Sequence, residues 1–142
     1  MKLPSAVRDW LRRRFAPKPL GQRGEAAAAR YLARQGYKIA ARGNRTKLGE
    51  LDLVAVDGST VVFVEVKTRQ SADEVHPALA VDDAKQRRLT RLALAFLQRH
   101  DLLRLPARFD VVAVTWPDGQ RRPTIEHIKN AFEATGRWQF YS

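Results

Sequence analysis

Two strongly apolar segments, Glu50-Leu51-Asp52-Leu53-Val54-Ala55-Val56 and Val61-Val62-Phe63-Val64-Glu65-Val66-Lys67, flank the link Asp57-Gly58-Ser59-Thr60. Their β-branched and aromatic content and the Asp-Gly turn signal predict a β-hairpin. Inside this greasy stretch stand Glu50, Asp52, Glu65 and Lys67. Charged groups are costly there unless something compensates them. A divalent cation and a phosphate would do so, which points toward metal-dependent nuclease chemistry.

Side chains alternate along a strand, so Glu50, Asp52, Val54 and Val56 are expected on one face, and Val61, Phe63, Glu65 and Lys67 on one face of the partner. A two-residue loop at Asp57-Gly58 pairs Asp52 with Phe63 and Glu50 with Glu65. A four-residue loop pairs Asp52 with Glu65. Both registers put the four charged residues on a common face, whereas a three-residue loop throws Glu65 to the other side. Two carboxylates about 4 Å apart repel by roughly 4 kcal/mol at an effective dielectric near 20. A proton or a cation must relieve that. Oxygen donors of this kind select Mg²⁺ or Mn²⁺ rather than zinc. Lys67 is placed to hold the scissile phosphate or the attacking water. The plainer reading is an ordinary hairpin with one solvated face, but Val61 and Phe63 on the same face as the acids speak against it.

The rest of the chain supports one domain over residues 21–142, preceded by a basic arm, 1–20. Val7, Trp10, Leu11 and Arg14 have helical spacing within that arm, and Pro17 and Pro19 close it. Its start lacks the apolar stretch of a signal peptide, and no segment reaches transmembrane length. Gln22–Gln35 predicts a helix with Glu25 at the edge of its apolar face, stopped by Gly36. Tyr37–Ala41 predicts a strand, Gly43–Gly49 a polar loop, and Val81–His100 the longest helix, with Leu89, Leu92, Ala93, Phe96 and Leu97 as its apolar stripe. Arg108–Thr115 predicts another strand, Ile125–Ile128 a last strand and Lys129–Ala134 a short helix. Strand and helix in this order make a mixed α/β domain, with a long helix crossing between parallel strands.

The net charge of +11 favours a polyanionic partner, nucleic acid first. With no cysteine there is no disulfide framework, thiolate zinc site or cysteine nucleophile, which suits a cytoplasmic protein. Arg42, Arg45, Lys47 and Arg69 flank the acids in sequence and are the best candidates to grip a phosphate backbone. Lys85, Arg87, Arg88 and Arg91 form a basic helix surface that is either solvated or a further phosphate contact. His76, His100 and His127 show no metal-ligand spacing and read as structural or exposed. Asp110 is expected to pair with a nearby arginine, and Trp138, Phe140 and Tyr141 to dock on the core.

Taken in order, Gly24-Glu25, Ala28, Tyr31-Leu32, Gly36-Tyr37, Asn44-Arg45, Gly49-Glu50-Leu51-Asp52-Leu53 and Phe63-Val64-Glu65-Val66-Lys67-Thr68-Arg69 resemble the YraN-like family of uncharacterised bacterial proteins. Arg108-Phe109-Asp110-Val111-Val112 and Ile125-Glu126-His127-Ile128, with Asn130-Ala131-Phe132, extend the match to roughly residues 20–134. That family in turn resembles the PD-(D/E)xK nucleases, Holliday-junction resolvases and restriction endonucleases among them. The resemblance implies a restriction-endonuclease-like fold, a central mixed β-sheet flanked by helices. It implies that Asp52 and Glu65 bind Mg²⁺ or Mn²⁺ with the backbone carbonyl of Val66. Lys67 completes the E-x-K element, and Glu25 is an assisting acid. Gln86 matches a glutamine that some members place near the site. The proline of the superfamily name is absent, since Leu51 precedes Asp52. The implied reaction is in-line hydrolysis of a phosphodiester bond, in DNA before RNA and including branched DNA, leaving a 5′-phosphate. A homodimer is implied only by analogy with the resolvases. The rival readings are a non-catalytic nucleic-acid-binding module that keeps the nuclease fold, and a small assembly protein on RNA.

Overall fold

The computed structural model describes residues 2–15, 19–72 and 81–135. Its elements are α1 (Ser5–Phe15), α2 (Leu20–Arg34), β1 (Lys38–Thr46), β2 (Gly49–Asp57), β3 (Thr60–Arg69), α3 (Asp83–Arg99), β4 (Ala107–Thr115) and β5 (Thr124–Phe132). The five strands form one sheet in chain order. β1–β2, β2–β3 and β4–β5 are antiparallel, while β3 and β4 run parallel, with α3 in the connection between them. This is a restriction-endonuclease-like α/β fold with a central mixed sheet.

The sheet is greasy on both faces because helices cover both. Val54, Val61, Phe63, Phe109 and Val111 pack with Leu89, Leu92, Ala93, Phe96 and Leu97 of α3. Leu53, Ala55, Val62, Val64, Val112 and Val114 pack with Ala27, Ala28, Ala29 and Leu32 of α2. The apolar stripe of α3 is the one its 3.6-residue period predicts. Each fully buried Leu, Val or Phe contributes about 1.5–3 kcal/mol. The small residues of α2 let it approach the sheet closely. At Gly24 a Cβ atom would stand 1.9 Å from Thr68 Oγ1 of β3.

Four expectations are corrected. β1 continues through Gly43–Thr46, where a loop was expected, because Asn44, Arg45 and Thr46 pair with Leu51, Glu50 and Gly49. It is an edge strand, so polar side chains are tolerated along it. β5 runs through Lys129–Phe132, where a short helix was expected. Between Val111↔Ile128 and Phe109↔Phe132 the strand carries extra residues, with Asn130 at φ 51. That irregularity gives Ile125, Ile128 and Phe132 a spacing that imitates a helix. The hairpin register has Asp57↔Thr60 and Val56↔Val61, so Gly58 and Ser59 are the turn residues instead of Asp57 and Gly58. Gly58 takes φ +63, which its lack of a Cβ permits. This is the four-residue-loop register, which would set Asp52 opposite Glu65, but the pairing stops one step short, at Leu53↔Val64. Strict alternation fails in β2, however. Leu51 and Val54 both join the α3-side core, while Leu53 joins the α2 side. Glu50, Asp52 and Val54 therefore do not share a face.

The arm contains the helix its spacing predicts, and Leu3, Val7 and Trp10 on it are exposed. His76, Trp138, Phe140 and Tyr141 lie outside the described residues.

Candidate metal and phosphate site at the end of the hairpin

The break in alternation occurs where β2 and β3 part. The β2–β3 ladder ends at Leu53↔Val64. One step further, the Val66 N–H donates to Asp52 Oδ2 at 2.9 Å instead of to a strand carbonyl. On the other side of Asp52, Gly43 of β1 takes φ +56 between the pairs Arg42↔Leu53 and Asn44↔Leu51. Asp52 is thus held between the two faces, and side chains from both helix layers converge on it.

From the α2 side come Glu25 and Glu50. Carboxylate oxygens of Glu25, Glu50 and Asp52 lie within 4.8 Å of one another. From the α3 side comes Glu65, which is 6% exposed although it is charged. Its Oε1 lies 2.6 Å from Lys85 Nζ and 3.6 Å from Lys67 Nζ. A cavity of about 760 Å³ opens over Glu25, Arg42, Gly43, Arg45 and Glu50.

The electrostatics follow from this crowding. Burial, then repulsion from Glu65 and Glu25, raises the Asp52 pKa to about 7, against the opposing hydrogen bond from Val66. Burial and the nearby Glu50 carboxylate raise Glu25 as well. Burial and the adjoining Lys85 ammonium lower Lys67. Burial works against Lys85 too, but its hydrogen bond to Glu65 and the attraction between them leave its pKa raised. Asp52 and Glu25 resist ionising side by side, and with the Glu50 carboxylate next to them they offer hard oxygen donors to a divalent cation that would relieve the crowding, so these residues fit Mg²⁺ or Mn²⁺.

The structure brings together Asp52, Glu25 and Glu50 in one group and Glu65, Lys67 and Lys85 in an adjoining one. Val66 joins them through its N–H. Arg42 and Arg45 line the cavity, and Arg45 pairs with Glu50 at 3.0 Å. Lys47 and Arg88 are exposed and do not line the cavity; Arg88 lies over Gly49 beside Leu92 of α3. Arg69 is half-buried, its Nε donating to Thr115 Oγ1 at 3.0 Å. Gln86 is turned elsewhere, its Nε2 donating to the Val81 carbonyl at 3.0 Å. The sequence offers Lys85 as a solvated helix residue or a phosphate contact; its hold on Glu65 is a further site contact that sequence reasoning missed. A signal existed. Lys85 stands in the first turn of α3, where the helix dipole disfavours a cation, so only a strong partner accounts for it.

Asp110 is fully buried on the α2 side and does pair with an arginine: Arg108 Nε donates at 3.0 Å. His127 Nε2 lies 2.7 Å from its other oxygen, and the Asn130 N–H donates at 2.9 Å. Burial alone would raise its pKa, but these donors prevail and lower it. This network ties β4 to β5. His127 is structural, as expected, and His100 is exposed against Phe96.

The family model described as "Uncharacterised protein family UPF0102" matches residues 24–114, which carry Glu25, Glu50, Asp52, Glu65, Lys67 and Lys85. The chain belongs to this family. A UPF0102 protein of Geobacter sulfurreducens is 53% identical over 118 residues, covering 82% of this chain and 90% of its own. One from Rhodopirellula baltica is 48% identical over 125 residues, covering 86% and 75%. One from Symbiobacterium thermophilum is 50% identical over 116 residues, covering 81% and 97%. The UPF0102 match thus takes in both groups of site residues. It stops before β5, and α1 precedes it. Among the described residues no helix is long and apolar enough to cross a membrane.

Proposed function

We propose that this UPF0102 protein is a Mg²⁺- or Mn²⁺-dependent nuclease that hydrolyses a phosphodiester bond in nucleic acid, DNA before RNA, in the cytoplasm. The observation that carries this is the convergence of Glu25, Glu50 and Asp52 within 4.8 Å, next to a buried Glu65 that holds two lysines. Asp52 and Glu65, with the carbonyl of Val66, would hold the ion; Glu25 and Glu50 would share it or steady its water shell. When bound, the ion supplies Lewis-acid stabilisation of charge on the phosphate. Lys67 presents its ammonium to a phosphate oxygen or to the attacking water. Arg42 and Arg45 hold the neighbouring backbone across the cavity, and Lys47 and Arg88 extend that grip. In-line attack would leave a 5′-phosphate. A homodimer is part of this reading only through the junction-resolvase resemblance.

The test is a cleavage screen on branched, flapped and linear nucleic acids with Mg²⁺ or Mn²⁺. Cleavage should require the ion and fall at least about a hundredfold in Glu65→Ala and Lys67→Ala, the loss expected when a positioned charge at the reacting phosphate is removed. A second reading has its own support. Glu65 is already neutralised internally, since Lys85 and Lys67 occupy one of its oxygens. That suits a nucleic-acid-binding module that keeps the fold without cutting. It wins if wild type and both variants bind DNA equally and none cuts any substrate.

A further inference from the structure

The strongest unexplained feature outside the carboxylate pocket is a cluster of cations. Arg30 and Arg34 project from α2, and Arg121 and Arg122 from the β4–β5 loop, into one cavity of about 420 Å³ that Tyr31 and Trp116 also line. No carboxylate lines it, and none of the four arginines forms an ion pair or hydrogen bond with another described residue. Like charges four apart on a helix oppose its stability slightly, and placing two more opposite them adds to the repulsion. The loop that carries Arg121 and Arg122 is anchored. The Trp116 N–H donates to the Arg69 carbonyl at 2.8 Å, and its Nε1 to the Gln120 carbonyl at 2.8 Å. Arg23 stacks on the same indole, 4.2 Å from the ring centre. Guanidinium groups gathered in this way without acids match phosphate oxygens.

We propose that this cavity is a second binding site for the phosphodiester backbone of a nucleic acid, separate from the carboxylate pocket. It rests on the nucleic-acid part of the reading above, and is independent of catalysis. The placement suits one continuous ligand. β4 ends at Thr115, paired with Arg69 at the end of β3, so the β4–β5 loop lies at the same sheet end as Glu65 and Lys67. Along α2, Arg30 and Arg34 lie about 8–14 Å beyond Glu25. That is two to four nucleotide steps at a rise of about 3.4 Å.

The experiment is fluorescence anisotropy of the full chain with labelled duplex DNA, without metal, over a series of salt concentrations. The variants are Arg121→Ala/Arg122→Ala and Arg30→Ala/Arg34→Ala, with Lys38→Ala/Arg99→Ala as a charge-matched control from other exposed positions. Each cavity pair should bind about tenfold more weakly and lower the slope of log affinity against log salt by about two, with melting temperatures like that of wild type. The control pair should change affinity by less than about twofold. Cavity pairs that lose no more than the control overturn the proposal while leaving the nuclease reading intact. A wild type that binds no nucleic acid overturns both. A parallel calorimetric titration with inorganic phosphate separates the sources of phosphate. Loss of the free anion's binding in the cavity pairs, with DNA affinity unchanged, would assign the site to a small anion and overturn the backbone assignment.

Discussion

Asp52 is half-buried between two other acids, and its folded-state pKa of about 7 expresses that burial and repulsion. In the unfolded chain the same carboxyl loses its proton near pH 3.9 or so. The folded state therefore binds a proton that the unfolded state has released, and stability falls as pH rises across this window, with the loss complete above the folded value. A divalent ion that occupies the ionised cluster reverses this by mass action, by about 2.7 kcal/mol at a hundredfold excess over its Kd. Mg²⁺ or Mn²⁺ should raise the melting temperature more near about pH 8 than near about pH 5. Equal shifts at both, or shifts that persist in Asp52→Asn, would sink the metal assignment. Asp110 has the opposite sign. Its donors depress its pKa, so the stability it provides is present above the unfolded value and drains away as pH falls through the folded one. Asp110→Ala strands His127 and the Asn130 N–H, while Arg108 keeps Asp57 and the Tyr37 hydroxyl, and should cost about 2–4 kcal/mol in urea denaturation. A cost below about 1 kcal/mol would mean the network contributes little. Asp52, Glu65 and Lys67 were legible because they interrupt a greasy strand. The grouping of Glu25 with Glu50, and of Lys85 with Glu65, was not, because each needs a helix docked on a particular face of the sheet.

At the scale of elements, the close approach of α2 to β3 positions Glu25. The small residues of α2 set that distance, and Gly24 is the tightest point. In Gly24→Ala the new Cβ meets Thr68 Oγ1, so either α2 shifts outward or β3 distorts; overpacking of this kind costs about 1–3 kcal/mol. Thr68→Ala on that background removes the hydroxyl and Cγ2 but leaves the Thr68 Cβ, 2.9 Å from the new methyl, so chemical denaturation should show partial recovery. Full recovery, or no initial loss, would show that α2 adapts freely. Helix α3 was readable because its period is uninterrupted and its N-cap, Asp82, accepts from the Lys85 N–H at 2.8 Å. The two edge strands were misread for different reasons: β1 because its polar run Asn44-Arg45-Thr46, tolerated at a sheet edge, reads as a loop, and β5 because the irregularity at the positive-φ Asn130 breaks its two-residue rhythm.

For the whole molecule, an excess of eleven positive charges over a 142-residue chain leaves the fold under self-repulsion. Salt should raise its melting temperature while weakening its hold on DNA, because both effects come from the same unneutralised cations. A salt-insensitive DNA affinity would mean that the charge is not what binds. The sheet end formed by β3 and β4 gathers this charge around its few acids, with Arg42, Arg45, Lys67 and Lys85 beside the carboxylates and the arginine cavity beyond α2. The hydrogen bond from Val66 to Asp52 gives this end of the molecule a further property. Whatever draws that carboxylate oxygen away deprives a peptide N–H of its acceptor midway between Glu65 and Lys67. Filling or emptying the pocket is then felt first by the main chain, and the acid and the lysine would reorient as one unit.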